Sequence, residues 1–96
     1  MAGLSEREEK FLKMIFDQTG GDVSELVLTQ DLYPVATKMG FNEREVTSIS
    51  EMLEGLGLLE IVDTYKGVID GKPVGFSMIA ALKITSLGVM HVRNID

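Results

Sequence analysis

The dipeptide Asp70-Gly71 is the feature that most restricts how this chain can fold. Asp-Gly is a strong signal for a two-residue turn between paired strands, because both residues tolerate positive φ. It stands between two runs rich in β-branched and apolar residues, LLEIVDTYKGVI and KPVGFSMIAALKIT. Folding the chain at this turn places Ile69 opposite Lys72. The sequence therefore predicts a long antiparallel hairpin in its second half.

The N-terminal segment carries the signals of a helix. Ser5 followed by Glu8 is a capping box, in which the hydroxyl accepts from an early N–H and the glutamate reaches back. Apolar residues then recur at helical spacing: Phe11, Leu12, Ile15 and Phe16. Gly20-Gly21 tolerates the left-handed conformation that ends helices. The first helix is predicted from Glu6 to Gln18.

The segment from Val23 to Leu28 is ambiguous. Asp22 and Glu25 are residues that cap a short helix, whereas the run Leu26-Val27-Leu28 suits a short strand. Both alternatives stay open at this point.

The stretch LTQDLYPVATKMGF predicts a second helix. Gly40 is a C-terminal stop, so the helix is predicted to end at Met39. Pro34 must lie in the first turn, where a missing N–H costs little. Asp31 is therefore the predicted N-cap.

A third helix follows, with Asn42 and Glu45 as its N-terminal cap and Phe41 packing on Val46 across it. Turning about 100° per residue separates two faces. One face is predicted to pack on the core: Val46, Ile49, Ser50, Leu53 and Leu56. The opposite face is predicted to point outward: Arg44, Thr47, Ser48, Glu51 and Gly55. After the hairpin, TSLGVMHVRNI predicts a short fourth helix capped by Thr85 or Ser86.

Three helices, a β-hairpin and a last helix are the order of a winged helix-turn-helix domain, and particular residues carry the resemblance. The helix-turn-helix pattern is matched by Ala36, Gly40-Phe41, Asn42, Val46, Ile49, Leu53 and Gly57-Leu58. The run from Ile84 to Gly88 is similar to the apolar-Thr-x-x-Gly element of MarR-like and PadR-like regulators. Ser50 departs from the pattern, because an apolar residue is commoner there, and a small hydroxyl suggests close helix packing.

The resemblance covers Ser5 to Ile95. It implies an α+β fold with a three-helix core, a long β-hairpin wing and a short C-terminal helix. With 96 residues, the chain 1–96 is expected to be a single domain.

Composition restricts the chemistry available to the chain. It has no cysteine, which excludes disulfides, thiolate zinc sites and a cysteine nucleophile. His91 is the single histidine and cannot form a multi-histidine metal site. With no paired carboxylates at a recognisable spacing, no enzyme, cofactor or metal site is predicted. No signal peptide or membrane-spanning run is recognised, so we expect a soluble, cytoplasmic protein.

The net charge of −6, from nine Lys/Arg against fifteen Asp/Glu, lowers the expectation of nucleic-acid binding without excluding it, since only the facing surface matters. The resemblance implies double-stranded DNA as the partner of helix three. Arginine can bind guanine, hydroxyls can contact phosphates or bases, and Glu51 would be repelled by phosphates or would accept from cytosine. The predicted DNA-binding residues are Lys38, Arg44, Thr47, Ser48, Glu51, Lys66 and Lys72.

Two functions remain open. The first is a dimeric DNA-binding transcriptional regulator. The second is a protein–protein interaction module whose acidic helix three docks a basic partner; its glutamates are Glu43, Glu45, Glu51 and Glu54. A homodimer through the hairpin and the C-terminal helix is predicted from an excess of apolar residues there. These residues are Val68, Ile69, Val74, Phe76, Met78 and Ile79 on the hairpin, and Leu87, Val89, Met90, Val92 and Ile95 on the helix.

Overall fold

Helices occupy most of the first half of the chain and a hairpin dominates the second, in an α+β arrangement. The structure is a computed structural model that describes residues 4–95, apart from the side chains of 66–69, 73–77 and 95. Within residues 4–95 the elements are α1 (Glu6–Thr19), β1 (Val27–Leu28), α2 (Thr29–Lys38), α3 (Glu43–Gly55), β2 (Leu59–Ile69), β3 (Lys72–Ile84) and α4 (Ser86–Ile95). This order is compatible with a winged-helix arrangement. None of the helices in the described residues has the length and apolarity needed to cross a bilayer.

The predicted hairpin is confirmed. Asp70 and Gly71 have φ of 53° and 78°, and Ile69 pairs with Lys72 in the ladder. Strand β3 is central in an antiparallel sheet of order β1-β3-β2. The ambiguous segment contributes β1, because Val27 pairs with Leu82 on the free side of β3.

The capping box of α1 is confirmed, and the helix extends one residue past the predicted Gln18. The start of α2 was predicted wrongly. Asp31 is the third helical residue rather than the N-cap, and Pro34 is the sixth rather than a first-turn residue. The cause is tertiary: the Thr29 hydroxyl donates to the carbonyl oxygens of Ile79, at 2.7 Å, and Ala80, at 3.2 Å. These bonds attach the first turn of α2 to β3. The helix also ends at Lys38, with Met39 as its C-cap.

The core lies between the helices and the inner face of the sheet. Its largest fully buried side chains include Phe11, Leu12, Ile15, Leu32, Leu53, Leu82 and Ile84. On α3 the predicted core face is correct for Val46, Ser50 and Leu53, whereas Ile49 is only partly buried. Leu56 was predicted wrongly and is 52% exposed, because α3 ends at Gly55 and the helical period no longer applies.

Ser50 is fully buried, in agreement with close packing at this position. Its hydroxyl has no hydrogen-bond partner among the described residues. Buried hydroxyls without partners are unusual and destabilising. The small side chain therefore contributes through its size.

The Thr85 junction, formed by Gly57, Leu58, Thr85 and Gly88, joins the end of α3 to the start of α4. The Thr85 hydroxyl donates to the Gly57 carbonyl at 2.6 Å and accepts from the Gly88 N–H at 3.0 Å. The Thr85 N–H donates to the Leu58 carbonyl at 3.2 Å. Of the two predicted caps for α4, Thr85 is therefore the one that acts. A Cβ on Gly88 would clash with the Leu58 carbonyl oxygen and lie 2.9 Å from Ile84 Cγ1.

We predict that Gly88→Ala lowers the free energy of unfolding by about 3 kcal/mol, because backbone in close contact cannot move aside as a side chain can. Urea denaturation measures the effect. Gly55→Ala is the matched control: a Cβ there meets nothing within 4 Å, so we expect stability to rise by up to about 1 kcal/mol. A Gly88→Ala protein as stable as wild type would contradict the close approach at the Thr85 junction.

Candidate nucleic-acid interface

The N-terminus of α3 is held by a capping box and by an arginine from α1. The Glu45 N–H donates to Asn42 Oδ1 at 2.9 Å, and the Asn42 N–H donates to Glu45 Oε1 at 3.4 Å. Arg7 Nε donates to Glu45 Oε2 at 2.7 Å, and another of its nitrogens donates to the Gly40 carbonyl at 2.7 Å. The guanidinium also stacks 4.5 Å from the centre of the Phe41 ring. One side chain thus ties α1 to the turn before α3.

The ion pair between Arg7 and Glu45 shifts the pKa of both groups. The hydrogen bond from Arg7 lowers the pKa of Glu45, and the same bond raises the pKa of Arg7. A carboxyl with a lowered folded-state pKa stabilises the fold above its ordinary pKa, and this contribution is lost as pH falls through the lowered value. Because Arg7 is exposed and Glu45 is partly exposed, solvent screens the attraction. The pair therefore contributes little to the free energy of folding, and its main effect is to hold α1 against the start of α3.

The C-terminal end of α3 is fastened to the sheet by a second glutamate. The Ile61 N–H donates to Glu54 Oε2 at 2.8 Å, across the turn between α3 and β2. Two of the four glutamates of α3 therefore make hydrogen bonds that join the helix to other elements of the fold. Glu43 and Glu51 are the remaining two, and both are exposed.

The structure places the predicted DNA-binding residues unevenly. Arg44, Ser48 and Glu51 are exposed along α3, as predicted. Thr47 is partly buried, and its hydroxyl oxygen is buried without a hydrogen-bond partner among the described residues, so its predicted outward orientation was wrong.

The three predicted lysines flank α3 along the chain. Lys38 is exposed as the last residue of α2, and Lys72 is exposed directly after the hairpin turn. The side chain of Lys66 lies outside the described residues; its backbone pairs with Ser77.

Arg44 borders two grooves. One groove runs between the starts of α1 and α3 and is lined by Ser5, Arg7, Glu8, Asn42, Arg44, Glu45, Ser48 and Ile49. The other lies between α3 and the hairpin and is lined by Asn42, Glu43, Arg44 and Met78. The arginine is thus the cation shared by both sides of the α3 N-terminus in the part of the chain that is described.

Two features of this region are not predictable from the sequence. The first is the bond from Arg7 to Glu45. These residues are 38 positions apart, and no sequence pattern links them. A third groove, lined by Leu28, Thr29, Gln30, Tyr33, Tyr65 and Ala80, gathers residues from four elements. No periodicity within one element could have predicted either.

His91 lies on α4 and contacts α1. Its Nε2 is 3.7 Å from Glu9 Oε1, a contact between two helices of the fold. Among the side chains that the structure describes, no three His, Asp or Glu residues converge in a way that would hold a metal ion.

No family model, curated protein or solved structure matches the chain.

We predict that Glu54→Ala lowers the free energy of unfolding by about 1 kcal/mol, because the Ile61 N–H loses its acceptor. Glu51→Ala is the matched control on the same helix, with an expected change within about 0.5 kcal/mol. Urea denaturation gives both values, and amide hydrogen exchange at Ile61 should accelerate only in Glu54→Ala. Equal effects of the two substitutions would show that the Glu54 contact does not hold β2.

Proposed function

We propose that the chain is a small winged-helix protein that binds duplex DNA through α3 and regulates transcription as a homodimer. The observation that carries the proposal is the way α3 is held. Glu45 and Glu54 fasten its two ends, and its exposed face presents Arg44, Ser48 and Glu51. A rigidly held helix with an exposed polar face suits major-groove recognition.

The acidic charge of α3 repels DNA less strongly than its number of glutamates indicates. The charge of Glu45 is offset by Arg7 in a contact of 2.6 Å, and Glu54 accepts from the backbone. Glu43, Glu51 and Glu54 keep their negative charge, against the positive charge of Arg44. Lys38 and Lys72 are exposed on neighbouring elements and are the proposed contacts to phosphates. So few phosphate contacts support only weak binding by one protomer.

A second protomer would supply the missing affinity, and α3 and α4 offer a surface for it. Four large apolar side chains are exposed there: Met52 at 36%, Leu56 at 52%, Leu87 at 53% and Met90 at 59%. We call these four residues the apolar ridge. Leu87 lies beside the turn that follows α3, since a Cβ on Gly57 would lie 3.6 Å from Leu87 Cδ2. Exposed apolar clusters of this kind are typical of protein interfaces.

Several residues of the predicted dimer surface are buried within the protomer. On α4, Val89 and Val92 are buried in the protomer, which leaves Leu87 and Met90 for a partner. On the hairpin, Ile79 is buried and Met78 is partly buried. The other predicted apolar side chains, Val68, Ile69, Val74, Phe76 and Ile95, lie outside the described residues. The proposed dimer contact is therefore the apolar ridge.

The alternative is a protein–protein interaction module in which the acidic face of α3, with Glu43, Glu51 and Glu54, docks a basic partner. Their exposure favours it, whereas the ion pair with Arg7 offsets the charge of Glu45. The two functions differ in one measurable property, which is affinity for duplex DNA at low salt.

We predict that Arg44→Ala weakens DNA binding by about 1–3 kcal/mol, because it removes a base-contacting cation. Glu51→Gln should strengthen binding to most duplexes, because it removes a negative charge near the phosphates. Glu25→Gln is the charge-matched control; it makes the same change in net charge away from α3 and should leave affinity almost unchanged. Fluorescence anisotropy with random and selected duplexes at low salt measures all three.

Two outcomes of these titrations would contradict DNA binding by α3. One is a wild-type protein with no affinity for any duplex at low salt, which would favour the alternative function. The other is an equal gain from Glu51→Gln and Glu25→Gln, which would show that only net charge matters. We also expect a shallow salt dependence, since few cations meet phosphates.

We predict that the wild-type protein is a dimer at micromolar concentration and that Leu87→Asp shifts it toward monomer. An aspartate in the first turn of α4 suits the helix dipole, so the protomer should stay folded. Val23→Asp is the control, because Val23 is another exposed apolar residue, 43% accessible, outside the apolar ridge. Sedimentation velocity over a concentration series gives the result. A monomeric wild type, or equal loss of dimer in both variants, would contradict the proposed interface.

A further inference from the structure

Strand β2 forms one edge of the sheet. In the order β1-β3-β2 it pairs with β3 on one side, and on its other side no strand of the described chain pairs with it. The strand is exposed from Val62 to Tyr65. We call the unpaired side of β2, from Glu60 to Tyr65, the β2 edge. An exposed edge presents backbone N–H and C=O groups that can pair with another chain, and proteins commonly obstruct such edges.

Two N–H groups of β2 bond to carboxylate oxygens. The Ile61 N–H donates to Glu54 Oε2 at 2.8 Å, and the Thr64 N–H donates to Asp63 Oδ1 at 2.9 Å. A strand residue directs its N–H toward one side only, so the bond to Glu54 on α3 shows that the Ile61 N–H points away from β3. A strand added at the β2 edge would need a donor that Glu54 already occupies.

Irregular pairing and negative charge mark the same stretch. The register of β2 on β3 shifts between Ile61 and Asp63, and again between Asp63 and Thr64. Bulges of this kind make an edge strand a poor template for pairing. Glu54, Glu60 and Asp63 are all exposed here. A second copy of the chain would bring the same three carboxylates, and like charges opposed across a strand pair are destabilising.

The other side of the sheet is obstructed in a similar way. Strand β1 ends at Leu28, opposite Ala81, and β3 extends beyond this pair toward the hairpin turn. There the Thr29 hydroxyl donates to the carbonyl oxygens of Ile79 and Ala80. A hydroxyl donor thus occupies carbonyl groups on one side of the sheet, and carboxylate acceptors occupy N–H groups of the strand on the other side.

We propose that the carboxylates of Glu54 and Asp63 keep the β2 edge from pairing with the β2 edge of a second copy of this chain. A second copy is the relevant partner, because two identical antiparallel edges related by a two-fold axis offer each other complementary N–H and C=O groups. With both carboxylates in place, the N–H groups of Ile61 and Thr64 are occupied and the two edges repel each other. The proposal depends neither on DNA binding by α3 nor on the apolar ridge.

A cysteine placed at the β2 edge reports contact between two edges. The chain has no cysteine, so Val62→Cys introduces a single thiol at a position that is 45% exposed. The short cross-linker bis-maleimidoethane joins two such thiols when two β2 edges lie side by side. With no other substitution, we expect little cross-linked dimer on a denaturing gel. Leu87→Cys, treated in parallel, reports contact at the apolar ridge.

Removing both carboxylates should open the edge. Glu54→Ala/Asp63→Ala should raise the yield of Val62→Cys cross-linking about tenfold, because it frees two N–H groups for a second strand. Glu54→Gln/Asp63→Asn removes the same charges but keeps an oxygen that can accept from each N–H, so its yield should rise much less. Asp63→Ala alone keeps the bond from Ile61 to Glu54 and should give an intermediate yield.

Two further variants separate edge pairing from general effects. Ile15→Val shortens a fully buried side chain on α1, so it lowers stability and leaves the β2 edge unchanged. Glu51→Ala/Glu60→Ala removes two exposed carboxylates and leaves Glu54 and Asp63 in place. Neither should raise cross-linking at Val62→Cys. Circular dichroism verifies that each variant is folded.

Four results would overturn the proposal. The first is a yield that Glu54→Ala/Asp63→Ala leaves unchanged. The second is an equal rise in Ile15→Val or in Glu51→Ala/Glu60→Ala, which would assign association to lost stability or lost charge. The third is an equal rise in Glu54→Gln/Asp63→Asn, which would show that occupied N–H groups do not matter. The fourth is a parallel rise at Leu87→Cys, which would show that association is not specific to the β2 edge.

Discussion

The hydrogen bonds of Thr85 determine how the two halves of this molecule meet. Its hydroxyl donates to the Gly57 carbonyl and accepts from the Gly88 N–H, while its own N–H donates to the Leu58 carbonyl. Gly57 and Leu58 connect α3 to β2, and Gly88 lies in the first turn of α4. One threonine therefore joins the end of α3 and the start of β2 to the first turn of α4. Gly88 permits this approach, because any larger residue would clash with Leu58.

With its C-terminal end placed in this way, α3 is held at both termini by its own acidic residues. Glu54 accepts from Ile61, and Glu45 joins Asn42 and Arg7 at the start of the helix. Two of the four glutamates of α3 therefore have a role in the fold. This explains their presence in a helix whose apolar spacing resembles that of a DNA-recognition helix. Counting formal charges overstates the repulsion that such a helix would exert on a polyanion, because a carboxylate paired with arginine adds little net field.

Local signals in the sequence predicted local structure well. Both capping boxes and the Asp70-Gly71 turn are confirmed. They were predictable because each depends on residues within a few positions of one another. Features set by distant contacts escaped prediction. The bonds from Thr29 to β3 moved the start of α2, and groove residues such as Tyr33 and Tyr65 come from separate elements. The exposure of Arg44, Ser48 and Glu51 was predictable from helical periodicity, whereas the partial burial of Thr47 depends on tertiary packing.

The central claim is that the exposed face of α3 contacts duplex DNA. Backbone amide chemical shifts of the ¹⁵N-labelled protein, followed during a titration with a short duplex at low salt, test it residue by residue. The account predicts that the largest changes occur at Arg44, Ser48 and Glu51, with smaller ones near Lys38 and Lys72. An unchanged spectrum, or changes confined to Leu87 and Met90, would contradict it.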